Sequence, residues 1–152
     1  MTGVAALREQ AVSRYATFFT ELSPARLHLL NRYCTDDIRF EDPFNRLCGV
    51  DALEDLFRHM FENTSAPVFE VHDWSVSPAA GYIFWRFSCR VRGRDVAFDG
   101  VSRLLISDDG RIAAHTDYWD TTAVLWSRVP LLGGLLRRLA RRLQVPGAQS
   151  PW

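Results

Sequence analysis

The chain has 152 residues, 47% of them hydrophobic, and a formal net charge of zero. That length is enough for one sizeable core, and the neutral total lacks the basic surface with which nucleic-acid binders displace counterions from phosphate. All 18 cationic side chains are Arg, which excludes Schiff-base lysine chemistry and a phosphate-loop lysine.

The charge is unevenly spread: residues 1–120 hold 13 Arg and all 18 acids, and residues 121–152 hold five Arg and no acid. The three cysteines, Cys34, Cys48 and Cys89, are odd in number and show no CxxC spacing, the pattern of free thiols in a reducing, cytoplasmic setting. The opening MTGVAALREQAVSRY has no apolar leader core, and no run approaches the roughly 18 apolar residues of a membrane span.

Val4, Leu7, Ala11, Tyr15, Phe18 and Leu22 recur at spacings of three and four, which predicts a helix over 4–22. Ser23-Pro24 supplies an N-cap and first-turn proline for a second helix that turns Leu27, Leu30 and Tyr33 inward. Residues 36–44 alternate Ile38, Phe40 and Asp42 with Arg39, Glu41 and Pro43, a short strand whose inner face includes Asp42. A third helix is predicted over 51–63 from Leu53, Leu56, Phe57, Met60 and Phe61. Strands follow at 68–76, 82–92, 95–107 and 111–119, with turn signals at 78–81, Gly93 and 107–110, giving an antiparallel meander. Residues 121–145 return to a helical pattern, basic and amphipathic, ending in LLRRLARRL. No repeat or second core marks a boundary, so 1–152 reads as one domain with 121–145 as a C-terminal extension.

This element order over residues 4–120 resembles the nuclear transport factor 2-like superfamily, which includes ketosteroid isomerases, SnoaL-like polyketide cyclases and limonene-epoxide hydrolases. The phrases that carry the resemblance are YCTDDIRFEDPFNRLCG at 33–49 and HTDYWD at 115–120. It implies an α+β fold in which a cone-shaped, curved antiparallel sheet wraps around N-terminal helices and encloses an apolar pocket. One fold of this kind hosts many chemistries, so function rests on the lining.

By resemblance to the ketosteroid isomerases, Tyr15 in RYATFF stands where that family has its oxyanion-binding tyrosine, and Asp42 in FEDPF where it has the proton-shuttling aspartate. Ser102 falls on the position of the family's second donor, a protonated aspartate. Such a set abstracts a proton from an acidic C–H while a phenol stabilises the resulting oxyanion. Each residue also has a plainer role open to it: Tyr15 at the edge of a helix stripe, Asp42 capping the turn before the third helix. By resemblance to the epoxide hydrolases, Asp117 matches one catalytic aspartate, but the expected Arg and Asp positions are Gly100 and Ser102, which leaves that triad incomplete.

His115, Asp117 and Trp119 are two residues apart and share one strand face. They form an acid–base pair beside Asp42, or Asp117 pairs with Arg86 or Arg103 and His115 is a wall residue. The candidate site is therefore catalytic Asp42, Tyr15, His115 and Asp117, with Ser102, Trp119, Phe40, Phe57, Met60 and Phe98 around the ligand. The four His residues have no metal-ligand spacing, so neither metal nor cofactor is expected. The aromatic content suits a flat, hydrophobic small molecule. The basic tail packs its leucines over the pocket mouth or against a second subunit in a homodimer, or else lies on an acidic membrane surface. A non-catalytic binding or dimerisation module is the alternative to an isomerase, cyclase or dehydratase.

Overall fold

The computed structural model describes residues 2–121 together with Arg138. The remainder of the predicted 121–145 extension lies outside the described residues.

Helix α1 spans Thr2–Thr20 and is followed by a 3-10 turn at Pro24–Leu29 and a single helical turn, α2, at Leu30–Tyr33. The helix starts and ends two residues earlier than the pattern predicted, and Val4 at its start is 58% exposed. Its buried stripe also takes in Val12 and Phe19, which the three-and-four spacing passed over. The second helix is mostly 3-10. Pro24 starts it as expected, but the Ser23 hydroxyl makes no capping hydrogen bond. Leu27 and Leu30 still anchor this turn in the core.

Strand β1 is Cys34–Glu41, a short β2 is Arg46–Cys48, and α3 is Val50–Asn63. The meander then runs as β3 (Ser65–Val76), β4 (Gly81–Val91), β5 (Arg94–Ile106) and β6 (Ile112–Trp119). The sheet order is β2-β1-β6-β5-β4-β3. All neighbouring pairs are antiparallel except β1 with β6, which is parallel. The sheet is therefore mixed, a correction to the expected antiparallel sheet: β1 arrives through helices rather than a hairpin, and reaches the free edge of the meander in the same direction as β6. β2 was not predicted, because RLC is too short to show an alternation.

Between β4 and β5, Arg92 and Gly93 both adopt positive φ, 50° and 76°. Two such residues make the primed hairpin turn whose twist matches the strands it joins. Register shifts interrupt the β1/β6, β3/β4 and β5/β6 ladders, and such irregularities bend a sheet. Helix α1 packs on β3, and α3 packs on β1 and the 3-10 turn.

Candidate functional site

The site begins with register on the inner sheet face. Leu104 faces His115, Ser102 faces Asp117, and Gly100 faces Trp119 across β5 and β6, while Ile83 and Trp85 of β4 face Ser102 and Gly100. Gly100 is required here by contact: a Cβ at this position would lie 2.3 Å from the Trp85 ring. The indole occupies the place of the missing side chain and brings its N–H to Ser102.

Hydrogen bonds link these residues into one buried chain. The Trp85 Nε1–H donates to Ser102 Oγ at 2.8 Å, and the Ser102 hydroxyl donates to Asp117 Oδ1 at 2.5 Å. His115 Nε2 lies 2.7 Å from the same Oδ1 and 3.0 Å from Ser102 Oγ. On the other side of the imidazole, Tyr15 Oη is 3.0 Å from Nδ1, and the Cys34 thiol donates to Tyr15 at 3.7 Å. Burial, reinforced by Cys34 and Asp117, raises the Tyr15 phenol well above its ordinary value, so Tyr15 keeps its proton and donates it to Nδ1. We assign the imidazole proton to Nε2, which then points to the carboxylate. Burial likewise pushes the Cys34 thiol up to about 12, against smaller opposing effects of the Tyr15 contact and Arg111. Every donor in the chain thus leads toward Asp117.

Tyr15, His115 and Ser102 are 0%, 1% and 3% exposed, whereas the Asp117 side chain is 16% exposed and reaches a cavity of about 380 Å³. The cavity lies between α3 and the inner sheet face. Its walls include Phe40, Phe57, Met60, Phe98 and Trp119, and the half-buried Asp42 also lines it. A recess of about 10 Å³, bounded by Ser102, His115, Asp117 and Trp85, lies behind the carboxylate. Asp117 is the titratable member of the polar chain that the cavity shares, and the Trp85 indole borders it too.

The sequence-predicted residues therefore divide. Asp42, Asp117, Trp119, Phe40, Phe57, Met60 and Phe98 line the cavity, whereas Tyr15 and His115 stand behind its wall. Ser102 touches the recess alone. The row His115, Asp117, Trp119 does share one face, and among the described residues Asp117 pairs with His115 and Ser102 and with no Arg; Arg86 pairs with Asp99 on the surface. Asp42 lies one residue beyond β1, and its Oδ1 accepts from the backbone N–H groups of Phe44 and Asn45 at 2.7 and 2.6 Å. The Asn45 amide donates to both its oxygens at 3.0 Å. Asp42 thus caps a turn while it faces the cavity.

Sequence reasoning did not include Asn45, Leu56, His59, Phe69, Trp85 and Phe87 in the lining. The alternation of β4 at 83, 85 and 87 was a usable signal for two of them. The Trp85–Ser102 contact depends on cross-strand register and the Cys34–Tyr15 contact on how α1 packs against the start of β1, and neither had a signal. Among the described residues, no group of three or more His, Cys, Asp or Glu is placed to hold a metal ion, and no helix is long and apolar enough to cross a membrane.

The fold recurs in solved structures. A protein from Jannaschia sp. CCS1 assigned as a SnoaL-like polyketide cyclase matches with a TM-score of 0.66 at 15% identity, covering 79% of this chain and 90% of its own. An LEH-like epoxide hydrolase from M. tuberculosis matches at 0.64 and 20% identity, covering 91% and 96%. A protein of ketosteroid isomerase-like fold from Catenulispora acidiphila DSM 44928, solved in complex with trimethylamine, matches at 0.64 and 14%, covering 76% and 88%. No curated protein matches the chain significantly. The SnoaL-like domain model matches residues 12–115, from the buried face of α1 to the histidine of the polar chain, and the chain belongs to that family.

Proposed function

We propose that this protein is a small-molecule enzyme of isomerase, cyclase or dehydratase type, in which Asp117 is the general base. One observation carries the reading: Asp117 is the one titratable group of the buried polar chain that lines the cavity, beside the Trp85 indole, and Ser102 and His115 both direct donors at its Oδ1. No hydrogen bond to Oδ2 is found among the described residues, so that oxygen is the one available to take a proton from a ligand. Donors held on one carboxylate oxygen fix its orientation, and burial removes competing water. Tyr15 and His115 act as positioning residues, since neither lines the cavity. Asp42 is a second carboxylate in the lining, with both oxygens engaged in its own turn.

The test is incorporation of deuterium from solvent into a panel of apolar carbon acids, followed by NMR. Saturable incorporation by the wild type, lost in a folded Asp117→Asn, is expected. If no member exchanges but binding persists, the cavity is a carrier site and the catalytic reading fails.

The reading extends to a homodimer formed through the outer sheet face. It is supported by a cross-strand row of Phe84, Val101 and Tyr118 in which Phe84 and Tyr118 are 41% and 59% exposed. Sedimentation of a Tyr118→Asp variant as a smaller species than wild type is expected; two identical profiles would rule this interface out.

A further inference from the structure

We propose that the cavity selects an apolar cation, a tertiary or quaternary ammonium or a protonated imine, over a neutral ketone or an anion. The inference rests on the reading of this cavity as a ligand site and specifies the charge of what enters it.

The first argument is charge. The cavity carries the carboxylates of Asp42 and Asp117 against one imidazole, the exposed His59, and no Arg among the described residues lines it, in a chain with 18 Arg. Alternation keeps them out: Arg39 and Arg86 adjoin the wall residues Phe40 and Trp85 but are exposed, as strand period two requires. Arg58, next to Phe57 and His59, is paired with Glu54 and Asp55 on the outer side of α3.

The second is the direction of the donors. An enolate formed in the cavity would need N–H or O–H groups aimed at its oxygen. The groups that resemblance assigned to that task are committed elsewhere: Tyr15 to His115 and Ser102 to Asp117. The Trp85 indole donates to Ser102, and the Asn45 amide to Asp42. The site is built to support negative charge on the protein. Negative charge on a ligand would face a carboxylate with few donors.

The third is the wall itself. Phe98 and Trp119 stack at 4.5 Å between centroids, and Phe69 meets Trp85 edge to face at 5.7 Å. Aromatic faces carry the negative lobe of the ring quadrupole and attract ammonium groups, most strongly where water is excluded. A cationic carbon acid also balances without an oxyanion: Asp117 Oδ2 takes the proton α to a C=N⁺ group, the C–H pair becomes a C=C bond, and the former C=N π pair settles on nitrogen. The product is a neutral enamine.

The test compares phenyltrimethylammonium with tert-butylbenzene, its neutral isostere, and with 4-tert-butylbenzoate, by tryptophan fluorescence and ligand-observed NMR. Wild type is expected to bind the ammonium about tenfold or more tightly than the isostere, as a ring face plus a carboxylate would give. Folded Asp117→Asn should bring the ratio toward one. Trp119→Leu should weaken the cation more than the isostere, which keeps the proposal testable if the Asn variant misfolds. Equal or tighter binding of tert-butylbenzene or of the benzoate would overturn it. Cation preference without deuterium exchange on any carbon acid leaves this inference standing and removes the catalytic reading. If none of the three binds, the ligand cavity and this inference both fall.

Discussion

Ser102 and Asp117 face each other across β5 and β6, with the serine hydroxyl 2.5 Å from the carboxylate Oδ1 and the Trp85 indole donating to that hydroxyl from behind. The serine thereby turns a buried indole N–H into support for a cavity carboxylate. Ser102→Ala removes both bonds and leaves the indole donor without its acceptor, which costs about 1–3 kcal/mol for a buried group. The urea midpoint of the variant should fall accordingly, and deuterium exchange by the surviving folded fraction should slow. An unchanged midpoint would mean that Trp85 does not depend on Ser102.

The two aspartates of the cavity should respond in opposite ways. Asp42 accepts two backbone N–H groups of its own turn, so Asp42→Ala is expected to lower stability by about 1 kcal/mol while exchange changes little. Asp117→Asn should lose exchange by about a hundredfold or more, the usual scale for a positioned base. Exchange lost in the Asp42 variant and kept in the Asp117 variant would reverse the two roles.

Gly100→Ala sets a methyl 2.3 Å from the Trp85 ring. Backbone and indole cannot both stay in place, so destabilisation of about 1–3 kcal/mol is expected from overpacking, with a shift in Trp85 emission. Binding of any cavity ligand should weaken as the indole is displaced. Unchanged stability and emission would show that the indole has room to move aside.

Cys34 and Tyr15 predict how stability depends on pH. Their folded values are raised, by burial in both cases, so the folded state holds protons that the unfolded chain releases. Their contribution is complete below the unfolded thiol value and is lost as pH rises from about 9 toward 12. Cys34→Ala should show a shallower decline of the urea midpoint over that window; an unchanged slope would contradict it. At neutral pH a thiol reagent should label the exposed Cys48 quickly, and the buried Cys34 and Cys89 only on unfolding.

Much of the fold was legible because periodicity is a local property. The meander and the inward phase of His115, Asp117 and Trp119 follow from alternation and turn signals, and α3 from three-and-four spacing. The parallel β1/β6 pair was not legible, since nothing in DDIRFEDPF states which edge the strand will join. The site was legible in membership more than in role. Tyr15 is visible in the sequence as part of the α1 stripe, but that its hydroxyl turns to His115 rather than to the cavity is set by contacts a hundred residues apart. Asp42 looked like the best base because strand phase placed it inward, whereas the strand ends at Glu41 and the turn that follows takes up its oxygens.

The most direct measurement concerns the proton on His115. Tyr15 donating to Nδ1 and Asp117 accepting from Nε2 require the Nε2–H tautomer at neutral pH, detectable as a long-range nitrogen–proton correlation pattern in a histidine-labelled sample. That pattern should persist in Asp42→Asn and change in Asp117→Asn. An Nδ1–H tautomer in the wild type would contradict it, because the donor chain would then not lead to Asp117.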